Sequence, residues 1–167
     1  MGVKFEVKDN FLEKEEFKTM QEYVRYQLPF YYKRGVSRDL KPTEKSSDGY
    51  HFAHYFYFND EIQSTSFGKV INPLLKKIKS FSLLRAKANL YPSTPKIMKH
   101  GWHKDFPFPH KGFLFYINTN NGFTVLKDGT KIQSVENRAL FFEAGEKHHS
   151  TTCTDDDVRL NININYV

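Results

Sequence analysis

His103, Asp105, His149 and Arg159 are the residues of this chain whose types and order could do chemistry. Two imidazoles and one carboxylate make the facial set that holds non-haem Fe(II) and leaves open positions on the metal. Arg159 follows the distal histidine by ten residues. Its planar fork of donors suits a carboxylate-bearing co-substrate beside such a metal.

The elements around these residues must bring them together. Residues i and i+2 of a strand share a face, so His103 and Asp105 can meet one ion if the chain after Gly101 is extended. Trp102 and Lys104 then point the other way. His149 must arrive on a second strand. Strand-like segments fill the interval: 112–118, 123–126, 131–135 and 138–142. Turn signals at 119–122, 127–129 and 144–145 separate them. Short strands at regular spacing predict a sandwich or barrel.

Two flanking strands carry polar faces. From Val158 to Tyr166, Val158, Leu160, Ile162, Ile164 and Tyr166 alternate with Arg159, Asn161, Asn163 and Asn165. An edge strand facing water would alternate too. An arginine with three asparagines fits a polar cavity wall better than a solvent face. From Ser82 to Tyr91, Arg85, Lys87, Asn89 and Tyr91 form a matching polar face. Asn89 and Tyr91 can orient a carboxylate. Arg85 and Lys87 either lie near the cavity mouth or snorkel to solvent.

Together, Asn89-Leu90-Tyr91, His103-Lys104-Asp105, His149-Ser150 and Arg159-Leu160-Asn161 resemble the Fe(II)- and 2-oxoglutarate-dependent dioxygenases over the C-terminal half of the chain. The resemblance implies metal ligands His103, Asp105 and His149. It implies Arg159 as the anchor of the far carboxylate of 2-oxoglutarate, with Asn89, Tyr91 and Asn161 as further contacts. The Asn-x-Tyr and Arg-x-Asn pairs are similar to those of AlkB-type demethylases. The chain length and the segment 137–142 look more like small prolyl-hydroxylase-like members. The implied fold is a double-stranded β-helix (a cupin-like jelly-roll), mainly β with flanking helices. The implied cofactors are Fe(II), 2-oxoglutarate as co-substrate and O2. The implied reaction is hydroxylation of a prolyl or other peptidyl carbon.

Composition frames this reading. The 167 residues suffice for one domain with a real core, residues 1–80 supporting a jelly-roll over 81–167. Hydrophobic residues make up 39% and aromatic residues 16%, a strand-rich, well-packed composition. The single Cys153 allows no intrachain disulfide and reads as a buried or incidental thiol. No signal-peptide core, myristoylation motif or membrane-length apolar run is evident, which points to the cytoplasm.

The net charge is +6, and the densest basic cluster is Lys76, Lys77 and Lys79. Asn72 as N-cap and Pro73 as first helical residue predict a helix there, with Ile71, Leu74, Leu75 and Ile78 as its apolar stripe. The lysines then read as its solvated face. Earlier, 3–7 reads as a strand, Glu13–Leu28 as a helix with Phe17, Met20, Val24 and Leu28 on one face, and Tyr50–Phe58 as a covered strand. The polar segment Lys33–Asp48 is either a lid over the site or a passive loop. His51 and His54 read as packed or surface histidines, His100 has the wrong parity to share a strand face with His103, His110 lies in a turn-like stretch, and His148 should point away from the proposed ligands. The choice of His149 over His148 rests on the His-Ser pair of the resemblance.

Two other functions fit part of this pattern. A non-catalytic cupin-like metal-binding module needs the triad but not Arg159 or the polar strands. An AlkB-like nucleic-acid demethylase needs a base-flipping pocket, and none is legible. A peptide or protein substrate is therefore favoured over nucleic acid, with no role for a membrane.

Overall fold

The computed structural model describes residues 4–37, 43–46, 48–79 and 82–167. In chain order the elements are β1 (Phe5–Lys8), α1 (Lys14–Tyr26), β2 (Tyr31–Arg34), β3 (Tyr50–Phe58), β4 (Glu61–Ile62), α2 (Phe67–Leu75) and β5 (Leu83–Pro92). They continue with β6 (Lys111–Tyr116), β7 (Phe123–Leu126), β8 (Lys131–Gln133), β9 (Arg138–Glu143), β10 (His148–Ser150) and β11 (Val158–Tyr166). The strands form one large antiparallel sheet, ordered β1-β9-β6-β11-β5-β3-β2 with β4 beside β3, and a small sheet ordered β10-β7-β8. This is the expected mainly-β architecture.

Strand parity divides the interior into two layers. On one face of the large sheet, Phe56, Ala86, Ala88, Phe113, Phe115, Leu160, Ile162 and Ile164 pack against Phe17, Met20 and Val24 of α1 and Val70, Ile71 and Leu74 of α2. On the other face, Leu114, Tyr116, Leu140 and Phe142 pack against Leu126 and Ile132 of the small sheet. That second interface is smaller and more polar, because the alternate residues of β5 and β11 are Arg, Lys, Asn and Tyr.

β11 is therefore not an edge strand. It lies between β6 and β5, and Arg159 to Tyr166 are all buried. Its register with β5 pairs Arg159 with Tyr91, Asn161 with Asn89, Asn163 with Lys87 and Asn165 with Arg85. Directly opposed residues of an antiparallel pair point to the same face. The two polar faces read from the sequence thus become one continuous wall.

Most expected segments form as read, with two departures. The second helix starts at Phe67, not at Asn72, and Pro73 lies inside it. Phe67, Val70, Ile71 and Leu74 are spaced as one helical face, and their burial against the sheet outweighs the backbone bond that Pro73 cannot make. Lys76, Lys77 and Lys79 are exposed, as expected. The second departure is β2, which pairs with β3 just after the expected helix Glu13–Leu28 and runs into the start of the expected loop. Of the segment Lys33–Asp48, expected as either a lid or a passive loop, residues 38–42 and 47 lie outside the described residues, as does the start of the 3–7 strand. No helix among the described residues is long and apolar enough to cross a membrane.

Candidate functional site

The site lies between the two sheets, where the chain after Gly101 runs beside β10. His103 and His148 form a two-way backbone bridge, each N–H donating to the other's carbonyl at 3.0 Å. Opposed residues share a face, so the bridge sets the two imidazoles side by side, with ring centroids 4.6 Å apart. Asp105, two residues on, points the same way. Its Oδ1 lies 3.9 Å from His103 Nε2 and its Oδ2 lies 4.0 Å from His148 Nε2. Among the described residues, His103, Asp105 and His148 can offer one ligand atom each within 4.8 Å of one another.

This corrects the expected triad. His149, the residue carried over from the His-Ser resemblance, points to the opposite face of β10. It packs edge-on against Trp102 at 4.5 Å. Trp102 does point away from His103, as strand alternation requires. The parity argument was sound, but nothing in the sequence says which of two adjacent histidines opposes His103. That is decided by the register of the bridge.

Asp105 is held from both sides. Arg85 lies 2.9 Å from Oδ1. Asn165 and Asn163 donate their Nδ2 groups to Oδ2 at 2.8 and 3.2 Å. Burial alone would raise its pKa, but Arg85 first, then His148, His103 and Lys87, outweigh that and hold it well below the usual carboxylate range. His103 is pushed down to about 4, by burial first and then by His148. At neutral pH the carboxylate is ionised and His103 is neutral, the forms a divalent metal needs.

Arg159 is fully buried, and its guanidinium meets only neutral groups among the described residues. Nε donates to Ser134 Oγ at 2.8 Å, and Nη2 to Thr124 Oγ1 at 3.0 Å. Nη1 reaches the Thr151 carbonyl at 3.4 Å. The rings of Tyr91 and Tyr116 flank it at 5.5 and 5.8 Å. Gly122 makes room for it: a Cβ there would lie 2.6 Å from Arg159 Cδ and 2.8 Å from the Thr152 carbonyl.

Asn89, Tyr91, Arg159 and Asn161 line one inner cavity together with His103 and His148. All four expected contacts are thus brought together. Asn89 donates to Asn161 Oδ1 at 3.0 Å, while Asn89 Oδ1 and Asn163 Oδ1 are buried without a hydrogen bond. The inner cavity measures about 30 Å³. His103 and Arg85–Asp105 border an outer cavity of about 230 Å³, and His103 lines both.

Several functional neighbours escaped the sequence reading. Thr124 and Ser134 hold Arg159, yet each is a lone hydroxyl in an apolar or loop stretch. Asn163 and Asn165 were visible on the polar face, but their aim at Asp105 follows from register. His51 and His54, expected as packed or surface histidines, are packed. His51 bonds the Gly35 carbonyl at 2.9 Å, and His54 is held between the Pro29 carbonyl and Ser64 at 2.7 Å each. Cys153 is a buried free thiol.

No protein-family model matches the sequence, and no curated protein does. Solved structures do match. A viral collagen prolyl hydroxylase from Paramecium Bursaria Chlorella virus-1, in complex with 2-oxoglutarate, superimposes with a TM-score of 0.63 at 15% identity, over 99% of this chain and 98% of that one. A Trichoplax adhaerens prolyl hydroxylase in complex with a hypoxia-inducible-factor peptide gives 0.66 at 13% identity, over 97% and 82%. A 2-oxoglutarate–Fe(II) oxygenase-family protein from Burkholderia pseudomallei gives 0.67 at 8% identity, over 97% and 84%. The fold is the double-stranded β-helix of the 2-oxoglutarate oxygenases. At these identities the likeness speaks to the fold, and the chemistry must be argued from the site.

Proposed function

We propose that this chain is an Fe(II)- and 2-oxoglutarate-dependent dioxygenase that hydroxylates a carbon of its substrate, with a prolyl or other peptidyl residue as the target. The observation that carries this is Arg159. A buried cation with only neutral partners is costly unless an anion completes it, and this one lies on the same cavity wall as a buried His-Asp-His cluster. A non-catalytic metal site has no need of it.

The donor set fits the metal. His103, Asp105 and His148 would hold Fe(II), and Arg159 would receive the far carboxylate of 2-oxoglutarate, with Tyr91, Asn89 and Asn161 around it. Bound iron, with O2 and 2-oxoglutarate, supplies the oxidation of a substrate C–H bond to C–OH while 2-oxoglutarate becomes succinate and CO2. The chain's own part is positioning. Arg85, Asn163 and Asn165 fix the Asp105 carboxylate, and the backbone bridge fixes both imidazoles. The inner cavity has room for about one water, so its lining side chains must part to admit a five-carbon diacid. The prolyl assignment is supported by the two prolyl hydroxylases among the structural neighbours.

The test separates the histidines. His148→Ala should lose stoichiometric Fe(II) binding, and His149→Ala should keep it. The wild-type protein should retain labelled 2-oxoglutarate in equilibrium dialysis, and Arg159→Ala should bind it at least tenfold more weakly with iron still bound. The reading fails if wild-type protein with bound iron neither retains 2-oxoglutarate nor releases succinate.

A further inference from the structure

We infer that Asp48 is a positioning residue of the metal site: its carboxylate clasps backbone that lines the outer cavity to backbone that orients His103, so that each stretch is ordered by the other. The inference rests on reading His103, Asp105 and His148 as the metal centre and concerns how that same site is held.

Asp48 is 8% exposed, and a carboxylate is stable at that depth only when its lone pairs are taken up. Four donors do so, two on each oxygen. Oδ1 accepts from the Val36 N–H at 3.1 Å and the Ser46 hydroxyl at 3.2 Å. Oδ2 accepts from the Ser37 N–H at 2.8 Å and the Gly101 N–H at 3.3 Å. Burial alone would raise the pKa of this group, but the donors from Ser37, Val36 and Gly101 outweigh it and hold it below the usual carboxylate range. At neutral pH the acceptor is therefore ionised, which strengthens each of these bonds.

The donors come from three stretches of chain, and two of them belong to the site. Val36 and Ser37 line the outer cavity with His103 and Asp105. Gly101 lies two residues before His103, and its carbonyl is 3.1 Å from His103 Nδ1. That contact places the imidazole proton on Nδ1, which donates it, and leaves Nε2 with the lone pair a metal takes. One residue thus meets Asp48 with its N–H and His103 with its C=O.

The junction is close because residue 101 is a glycine. A Cβ there would lie 2.7 Å from Ser37 Oγ, 3.1 Å from Ser37 Cβ and 3.3 Å from Asp48 Oδ2, so its absence lets the two backbones approach. The same segment is bonded to β10, where His100 donates its N–H to the Ser150 carbonyl at 2.9 Å and His103 exchanges both backbone bonds with His148. Residues 100–103 are thereby tied to the small sheet by backbone bonds and to the stretch after β2 through Asp48. A carboxylate that only stapled its own loop would be satisfied by Val36, Ser37 and Ser46. The fourth donor is the one that reaches the metal site.

Such a linkage runs both ways. Metal on the triad would fix the 101–105 segment, and through Asp48 it should order Val36 and Ser37. An asparagine has one acceptor oxygen in place of two, so Asp48→Asn must release part of the clasp. Amide exchange is followed by NMR in the full chain, wild type and Asp48→Asn, without metal and saturated with Zn(II), a diamagnetic divalent probe that takes histidine and carboxylate ligands. In the wild type, zinc should slow exchange of the Val36 and Ser37 amides by about fivefold or more. In Asp48→Asn that slowing should vanish, and zinc affinity should fall by about tenfold, as for other groups that orient metal ligands. A purely structural role would speed exchange in the metal-free and zinc-bound states alike and leave the zinc-induced difference intact. Gly101→Ala, which forces the two stretches apart with Asp48 in place, should lose the difference too, and it decides the matter if Asp48→Asn does not fold. No zinc-induced slowing at Val36 and Ser37 in the wild type, or the full slowing retained in a folded variant, would overturn the proposal. Wild-type protein that takes up no zinc at all would count against the metal-centre reading instead.

Discussion

Arg159 and His100 show how much one buried side chain depends on its surroundings here. Arg159 carries its charge among three oxygen acceptors and two aromatic faces, with no counter-ion among the described residues. His100 does the reverse and stays neutral. Burial first, and then the charge of Arg159, push it down to about 3. It accepts or donates one bond with Ser150 Oγ at 2.7 Å and stacks on Tyr91 at 5.1 Å. In the unfolded chain the same imidazole titrates near 6.5. As pH falls from about 6.5 toward 3, the unfolded state takes up a proton that the folded state refuses. Stability from this group is therefore full above about 6.5 and is lost as pH falls, by at most about 1.4 kcal/mol per pH unit. Denaturant titrations between pH 7 and 4 should show this slope in the wild type and a shallower one in His100→Gln. Equal slopes would remove His100 from the account.

At the scale of elements, β11 does two jobs with its two faces. Ile162 is fully buried in the core against the helices. Ile162→Ala should cost about 2–5 kcal/mol of stability without selectively changing the metal site. Asn163→Ala should cost far less stability but should weaken Fe(II) binding, because Asp105 loses one of its donors. Chemical denaturation and metal titration on the two variants check this, and equal effects on both quantities would refute the division. This division was legible in the sequence, since strict alternation over Val158–Tyr166 reports two environments. The boundaries of β3 and β7 were legible for a different reason, strand-forming residues bounded by turn signals. What was not legible depends on register and competition. The start of α2 was misplaced because Pro73 is a strong local signal for a helix start, and only packing reveals that Phe67 and Val70 already belong to the helix. β2 was hidden because its four residues, Tyr31–Arg34, carry no alternation that a sheet edge would impose. The triad was legible to within one residue: the parity of His103, Asp105 and a distal histidine followed from strand geometry, while the choice of His148 needed the bridge.

At the scale of the whole molecule, the two sheets are unequally anchored. The large sheet has helices on one face and a broad apolar core. The small sheet rests on a modest cluster, with the adjoining chain tied to it by the isolated bridges Lys99–Thr151 and His103–His148. The His103–His148 bridge now takes on a mechanical meaning. A metal shared by His103, Asp105 and His148 would act as a cross-link, closing a loop of roughly 45 residues whose entropy the unfolded chain would otherwise keep. Such a clip resists local opening as well as global unfolding. Backbone amides of β10 and β7 should exchange with deuterium markedly more slowly after Fe(II) is added, while those of α1 and of the β11–β5 pair, already locked by the main core, should change little. Chelating the metal should release the small sheet first. The metal centre would then serve as the seam that holds the smaller sheet shut over the site as well as the place where oxidation occurs.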